Sequence, residues 1–139
     1  MQGKRSFHKK NYRRALRYFE GAFQIWNNRV FHFNIAVAHA RLGNEKKAVA
    51  HIFAYLEGAS AAERRLPAEL EKLFHSYGIV QVSTPREDVE HWVDGRHVTT
   101  GHEMKRVVST GVHNVEIRRQ GRCLARRAEP SQNSRCVHR

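Results

Sequence analysis

The chain has 139 residues, of which 40% are hydrophobic, so it has the length of one ordinary domain or two very small ones. This apolar share excludes a fully disordered chain, and no apolar run approaches the ~20 residues that a transmembrane helix needs. The net charge of +12 is concentrated at the two ends, with +7 over residues 1–29, −1 over 30–117 and +6 over 118–139. Such ends attract anions, although a solvated helix face followed by a frayed tail also accounts for them.

The apolar spacing predicts helices through the first 77 residues. From Tyr12 to Trp26, apolar residues recur every three or four positions, which indicates one buried stripe that includes Phe19 and ends on Trp26. Further helices are predicted over residues 30–42, 45–57 and 67–77.

At Gly78 the apolar period changes from about 3.6 to about 2, which is typical of strands. Asp94-Gly95 lies between two strand-like runs and predicts a hairpin, because a type I′ turn needs a positive φ at both central residues. A compact antiparallel sheet is predicted over residues 78–121, and Gln120-Gly121 at its end is a further turn signal. Residues 122–139 contain five arginines and almost no apolar pattern, so they are predicted to form a disordered basic tail.

Two helical segments share one spacing of apolar and small residues, and their anchors Ala15 and Ala48 are 33 positions apart. The second segment, with Ala36, Gly43 and Ala48, resembles the tetratricopeptide (TPR) repeat, a helical hairpin of ~34 residues. The first resembles it only in its second helix, so its first helix is expected to lie before Met1. The shared positions are Tyr12, Ala15, Leu16, Phe19 and Ala22 in the first segment and Glu45, Ala48, Val49, Ile52 and Tyr55 in the second.

The segment over residues 78–121 resembles a PEGA domain in three places: Val80 to Pro85, Val93-Asp94-Gly95, and Gly111-Val112-His113. Helical repeats followed by such a sheet are similar to the TPR–PEGA proteins of bacterial envelopes. The resemblance therefore implies an α+β fold with TPR-like helices over residues 1–77. It also implies a location in the periplasm or cell envelope, although no secretory signal is visible in the chain.

The TPR resemblance implies a non-catalytic protein-interaction or scaffold function. In TPR arrays the first helix of each hairpin lines an inner groove, which places Phe33, Asn34, Val37 and Arg41 on the partner-binding face. Asn34 is expected to hydrogen-bond a peptide backbone, and Arg41 is expected to pair with a carboxylate. The alternative is that Asn34 belongs to the repeat framework and that Arg41 is a solvated charge.

A second hypothesis assigns the chain to non-specific binding of polyanions, either nucleic acid or an anionic surface. Insertion of the N-terminal helix into a membrane is argued against, because its apolar face is needed for packing. Phosphate contacts would make such binding collapse with salt. The candidate anion-binding residues are Lys9, Lys10, Arg13, Arg14 and Arg17.

The sequence offers no motif for catalysis, for a cofactor or for a metal. His97 and His102-Glu103 lie near each other, but neither His-Glu-x-x-His nor Cys-x-x-Cys is present. The chain is therefore predicted not to be an enzyme, and its partner is expected to be another protein or peptide. Whether Cys123 and Cys136 form a disulfide is left open, as is the oligomeric state.

Overall fold

The computed structural model describes residues 2–130 and 135–137, with side chains as far as Arg127. Five helices precede two small sheets, which confirms the predicted α+β class. The chain divides into two compact units, Met1–Phe74 and His75–Arg139, named here the helical unit and the sheet unit. The division falls three residues before the predicted boundary after residue 77.

The helices largely follow the predicted periodicity, with one addition at the start of the chain. They are α1 (Gln2–His8), α2 (Tyr12–Ile25), α3 (Val30–Arg41), α4 (Glu45–Leu56) and α5 (Ala68–His75). The sequence pattern did not indicate α1, and the first helix of this hairpin was expected before Met1. Instead α1 packs against α2, where Gly3 lies so close to the Phe19 ring that a Cβ would come within 2.8 Å of it.

Two buried clusters hold the helical unit together. The first contains Ala15, Phe19, Phe31 and Ile35, and the second contains Ala36, Ile52 and Leu70. Ala36 and Ala48 are both fully buried, as small residues between packed helices are expected to be.

The prediction that Trp26 belongs to the buried stripe was wrong. Helix α2 ends at Ile25, and Trp26 has an extended backbone with φ −122° and ψ 94°. The helical spacing therefore no longer determines where this side chain lies, and it is 65% exposed.

The described residues of the sheet unit form seven strands in two sheets. The strands are β1 (Tyr77–Ser83), β2 (Glu90–Val93), β3 (Arg96–Thr100), β4 (Glu103–Ser109), β5 (Val112–Arg119), β6 (Arg122–Pro130) and β7 (Arg135–Val137). One sheet has the order β4-β1-β7, in which β7 runs parallel to β1, and the other has the antiparallel order β3-β2-β5-β6. Both sheets contribute to one core of Val80, Val82, Val89, Val93, Met104, Val108, Val115 and Ile117.

The hairpin at Asp94-Gly95 is confirmed. Asp94 has φ 50° and Gly95 has φ 74°, the left-handed pair that a type I′ turn requires, and Val93 pairs with Arg96 across it. The turn leads into β3, a strand that the alternation of apolar residues did not indicate, since only Val98 of this strand packs against the core.

The predicted disordered tail was wrong for its first nine residues. Gln120 and Gly121 form a second left-handed pair, with φ 49° and 75°, after which Arg122–Pro130 pairs along the whole of β5 as the edge strand β6. Backbone hydrogen bonds hold this strand, and Ala125 is its one described side chain packed on the core. An arginine-rich edge strand therefore resembles a solvated tail in sequence. The rest of the tail prediction lies outside the described residues, except for β7.

Candidate functional site

The four predicted partner-binding residues lie together in the wall of one groove of the helical unit. Phe33, Val37 and Arg41 recur every four positions on α3, and Asn34 precedes Val37 by three, so they share one face of the helix. All four line a groove of about 260 Å³. The remaining lining comes from α1, α2 and the start of α5: Lys4, Phe7, His8, Phe19, Pro67, Glu69 and Leu70.

The inner walls of the groove are apolar and held by core packing. Phe33 is half-buried against Tyr55 of α4, with the ring centroids 5.3 Å apart. Leu70 and Phe19 are buried in the two helical clusters. Their positions are therefore fixed by the fold, which makes the groove a preformed cavity.

The polar groups of the groove differ in how they are satisfied. Asn34 forms no side-chain hydrogen bond with any residue that the structure describes. The Arg41 guanidinium already lies 3.0 Å from the Glu69 carboxylate, and both side chains are about half exposed. A carboxylate from a partner would therefore compete with Glu69 for Arg41, which the sequence alone did not indicate.

The predicted anion-binding residues also lie close together, at the turn between α1 and α2 and on the first two turns of α2. Lys9, Lys10, Arg13, Arg14 and Arg17 are all exposed. The Asn11 side chain accepts a hydrogen bond from the Arg14 backbone and caps α2. Within the described part of the chain, none of the five basic side chains forms an ion pair.

Arg14 and Arg17 border a wide depression of about 660 Å³, together with Asn11 and Tyr18. The Arg14 guanidinium donates to the Tyr18 hydroxyl at 3.3 Å and lies 5.7 Å from the centre of its ring. This contact extends Arg14 along the outer side of α2, where its charge stays accessible.

Three histidines cluster between α3 and α4, a grouping that was not expected from the sequence. The Nδ1 atoms of His32 and His51 are 2.8 Å apart, and the ring of His39 stacks on that of His51 at 5.7 Å. Burial lowers the pKa of all three, and the charges of the other two rings help to lower that of His51 to about 4. The i, i+7 spacing of His32 and His39 is the only sequence signal for this cluster.

The histidines of the sheet unit are held separately by acceptor groups. His102 contacts the Thr84 carbonyl at 3.2 Å and the Glu87 carboxylate at 2.9 Å, which together raise its pKa. His113 contacts Asp94 at 2.7 Å and the Ser109 carbonyl at 2.8 Å. His97 faces the Thr100 hydroxyl at 3.2 Å instead of joining His102.

The described residues form neither a metal site nor a membrane-spanning helix. Among residues 2–127, no group of three or more histidine, cysteine, aspartate or glutamate side chains is arranged to hold a metal ion. Cys123 is an exposed free thiol, and the side chain of Cys136 lies outside the described residues. None of the five described helices has both the length and the apolar character needed to cross a membrane.

No family model, no curated protein and no solved structure matches this chain.

Proposed function

We propose that this chain is a non-catalytic protein-interaction module that binds a peptide segment of another protein in the groove along α3. The observation that carries the proposal is that Phe33, Asn34, Val37 and Arg41 line one preformed groove. The resemblance of the helices to TPR repeats supports the same function, and the resemblance to TPR–PEGA proteins favours a place in the bacterial envelope.

The groove has the chemistry that an extended peptide requires. Its volume of about 260 Å³ lies just below the range of small-molecule pockets and suits one or two apolar side chains between Phe33 and Leu70. The Asn34 amide can donate to a peptide carbonyl and accept from a peptide N–H. At the groove edge, Lys4 and Arg41 outnumber Glu69, so a neutral or acidic peptide is favoured over a basic one.

Peptides selected from a random display library on the full chain serve as ligands for testing the groove. Asn34→Ala is expected to weaken their binding about tenfold, because it removes hydrogen bonds formed inside a partly buried groove. Val37→Asp is expected to abolish binding, because it places a hydrated carboxylate on the apolar wall where a peptide side chain would be buried. Fluorescence anisotropy with a labelled peptide measures both effects.

Matched substitutions outside the groove serve as controls. Asn27→Ala and Val30→Asp make the same chemical changes at exposed positions that do not line the groove, so both variants are expected to bind like the original chain. Enrichment of no peptide, or equal weakening by Asn34→Ala and Asn27→Ala, contradicts the proposed groove.

The exposed basic residues favour a second candidate function, the binding of polyanionic surfaces. Five cationic side chains without an ion pair in the described part of the chain are concentrated within nine positions, from Lys9 to Arg17. Their charges are therefore available to phosphate groups, which release counterions when they are neutralised.

The salt dependence of binding to a single-stranded RNA homopolymer tests this candidate. Replacing Arg13 and Arg17 by glutamine is expected to reduce the slope of log K against log salt by about 1.4, since each phosphate contact on a single strand contributes about 0.7. Replacing Lys46 and Lys47 by glutamine removes the same charge from exposed positions on α4 and is expected to change the slope little. Equal slopes for the two double variants would argue against a defined basic site.

A further inference from the structure

Exposed apolar side chains of the described residues are concentrated on one part of the helical unit. Four of the six large hydrophobic residues with high exposure fall between positions 18 and 30. Three of them adjoin the connection between α2 and α3 and are named here the apolar tip: Ile25, Trp26 and Val30, which are 77%, 65% and 52% exposed. Single exposed apolar residues are ordinary, whereas several beside one connection form a candidate interaction surface.

The backbone of the apolar tip is held by hydrogen bonds. The Trp26 N–H donates to the Ala22 carbonyl at 2.8 Å, and the Asn28 side chain accepts from the Val30 N–H at 3.0 Å. Arg29 links the connection to the rest of the helical unit, because its guanidinium donates to the Tyr55 carbonyl at 3.2 Å and pairs with Glu63. These hydrogen bonds therefore hold in place the backbone that carries the three exposed apolar side chains.

The apolar tip continues a stripe that begins among the basic residues. Arg14, Tyr18, Gly21 and Ile25 are spaced by four, three and four positions, so they share one face of α2, and all of them are exposed. Ala15 and Phe19 lie on the buried side of the same helix. From Arg14 to Ile25 the helix rises ~16 Å, so a single flat surface can contact both the basic end and the apolar end.

We propose that this face of α2 docks on an anionic lipid surface. Arg14 and Arg17 would contact lipid phosphates, while the apolar tip would enter the boundary between headgroups and acyl chains. The inference rests on the anion-binding candidate function above and names its partner.

The apolar tip is what favours lipid over nucleic acid. A nucleic acid offers phosphates to the basic end and a stacking surface to Trp26. Burying Ile25 and Val30 against it would contribute little binding free energy. A lipid boundary accommodates all three side chains, and tryptophan prefers that location. Insertion was not expected from the sequence, because the apolar face of the helix is needed for packing. The structure has a second set of apolar side chains that packing leaves exposed.

Sedimentation of the full chain with vesicles tests the proposal. One set of vesicles is pure phosphatidylcholine, and the other also contains phosphatidylserine. We expect binding to the anionic vesicles at about 100 mM salt and little binding to the neutral ones. Joint replacement of Ile25 and Val30 by serine is expected to weaken binding to the anionic vesicles at least about tenfold. Val112→Ser, at a valine of the sheet unit that is 71% exposed, is the matched control and is expected to have no effect.

Quenching by lipids brominated on the acyl chain reports insertion directly. Fluorescence quenching that occurs in the original chain and is lost in Trp26→Phe would place Trp26 in the boundary, and circular dichroism checks that each variant is folded. Absence of this quenching, or equal vesicle binding by the serine variant and the original chain, overturns the lipid proposal. If the chain then binds RNA, and the serine variant binds RNA equally well, the polyanion function is retained without the lipid proposal. If neither vesicles nor RNA bind even at low salt, both the lipid proposal and the polyanion function are rejected.

Discussion

Replacing Ile52 by alanine is expected to lower the free energy of unfolding of the helical unit by about 3 kcal/mol, within the range for truncating a buried aliphatic side chain. Ile52 is 1% exposed and packs in one cluster with Ala36 and Leu70. Alanine removes three carbons and leaves a cavity that the neighbouring helices can fill only in part. Chemical denaturation followed by far-ultraviolet circular dichroism measures the effect, since all five described helices contribute to that signal.

Ile25 provides the matched control, because the same isoleucine-to-alanine change occurs there at a side chain that is 77% exposed. Ile25→Ala is expected to change the free energy of unfolding by less than about 0.5 kcal/mol, as surface substitutions commonly do. If both variants lose equal stability, the two residues do not differ in burial as the structure has them. If neither loses stability, Ile52 is not in a packed core.

How much of the fold could be predicted depended on whether the side chains of each element pack on a core. The spacing of Ala15 and Phe19, and of Ala48 and Ile52, follows the helical period because these residues are buried. Trp26 matched the same period but lies past the end of α2, and periodicity carries no information on where a helix ends. The left-handed turns were visible as Asp94-Gly95 and Gln120-Gly121, because only a few residue types adopt a positive φ easily.

The strands that the apolar alternation did not indicate are those held mainly by backbone pairing. Both β3 and β6 are edge strands of one sheet, and each packs a single described apolar side chain on the core, Val98 and Ala125 respectively. Gln120-Gly121 predicted a turn, but five arginines after it outweighed that signal. A hairpin turn followed by a polar run is therefore better interpreted as an edge strand than as the start of a tail.

The candidate groove could be predicted only on one of its sides. The α3 residues share a helix face, so a resemblance over that helix was enough to group them. Lys4 and Glu69 are 65 positions apart and line the same groove only because α1 and α5 border it. The Arg41–Glu69 ion pair depends on this long-range packing, which the spacing of residues along the chain does not predict.

Acidification is expected to destabilise the helical unit selectively, because of the histidine cluster between α3 and α4. The Nδ1 atoms of His32 and His51 face each other at 2.8 Å, so one of them must donate a proton while the other accepts. Protonation of both rings would place two N–H groups against each other. The stacked ring of His39 adds a third group whose charge would repel that of His51.

The sign of the effect follows from the direction of the pKa shifts. The pKa of His51 is about 4 in the folded chain against about 6.5 when unfolded, and the pKa values of His32 and His39 are also lowered. At pH values between the folded and the unfolded pKa, the unfolded state therefore binds more protons than the folded state. The stability contributed by the neutral rings is complete above the unfolded pKa and is lost as the pH falls toward 4. Because His51 and His32 are only half-buried, we expect a loss on the order of 1–2 kcal/mol between about pH 7.5 and pH 5.

Neighbouring charges do not reverse this direction. Glu20 of α2 faces His39 and raises its pKa, but burial and Lys47 of α4 lower it, with burial the largest cause. Among the described carboxylates of the helical unit, Glu63 has a shifted pKa. Hydrogen bonds from Ser60 and Arg29 lower it to about 2, so its contribution is lost only below about pH 4.5.

The sheet unit is expected to keep its stability over the same interval. The Thr84 carbonyl and the Glu87 carboxylate raise the pKa of His102, so the contribution of its charged form is complete below the unfolded pKa and is lost as the pH rises through the folded value. The pKa of Asp88 is lowered to about 2 by Arg86 and Arg119, so this carboxylate stays ionised at about pH 5. Lowering the pH to that point therefore leaves the carboxylate pairs of Asp88 intact and favours the His102 contact.

Hydrogen exchange resolved along the chain separates the two responses in the intact protein. After correction for the intrinsic pH dependence of exchange, the opening free energies of amides in α3 and α4 are expected to fall between about pH 7.5 and pH 5, while those in β1 and β4 are maintained. His51→Gln is expected to flatten the response of the helical unit, whereas His8→Gln, at an exposed position on α1, is expected to preserve it. An unchanged helical unit at acid pH, or an equal response in the His51→Gln variant, would show that the facing rings do not control its stability.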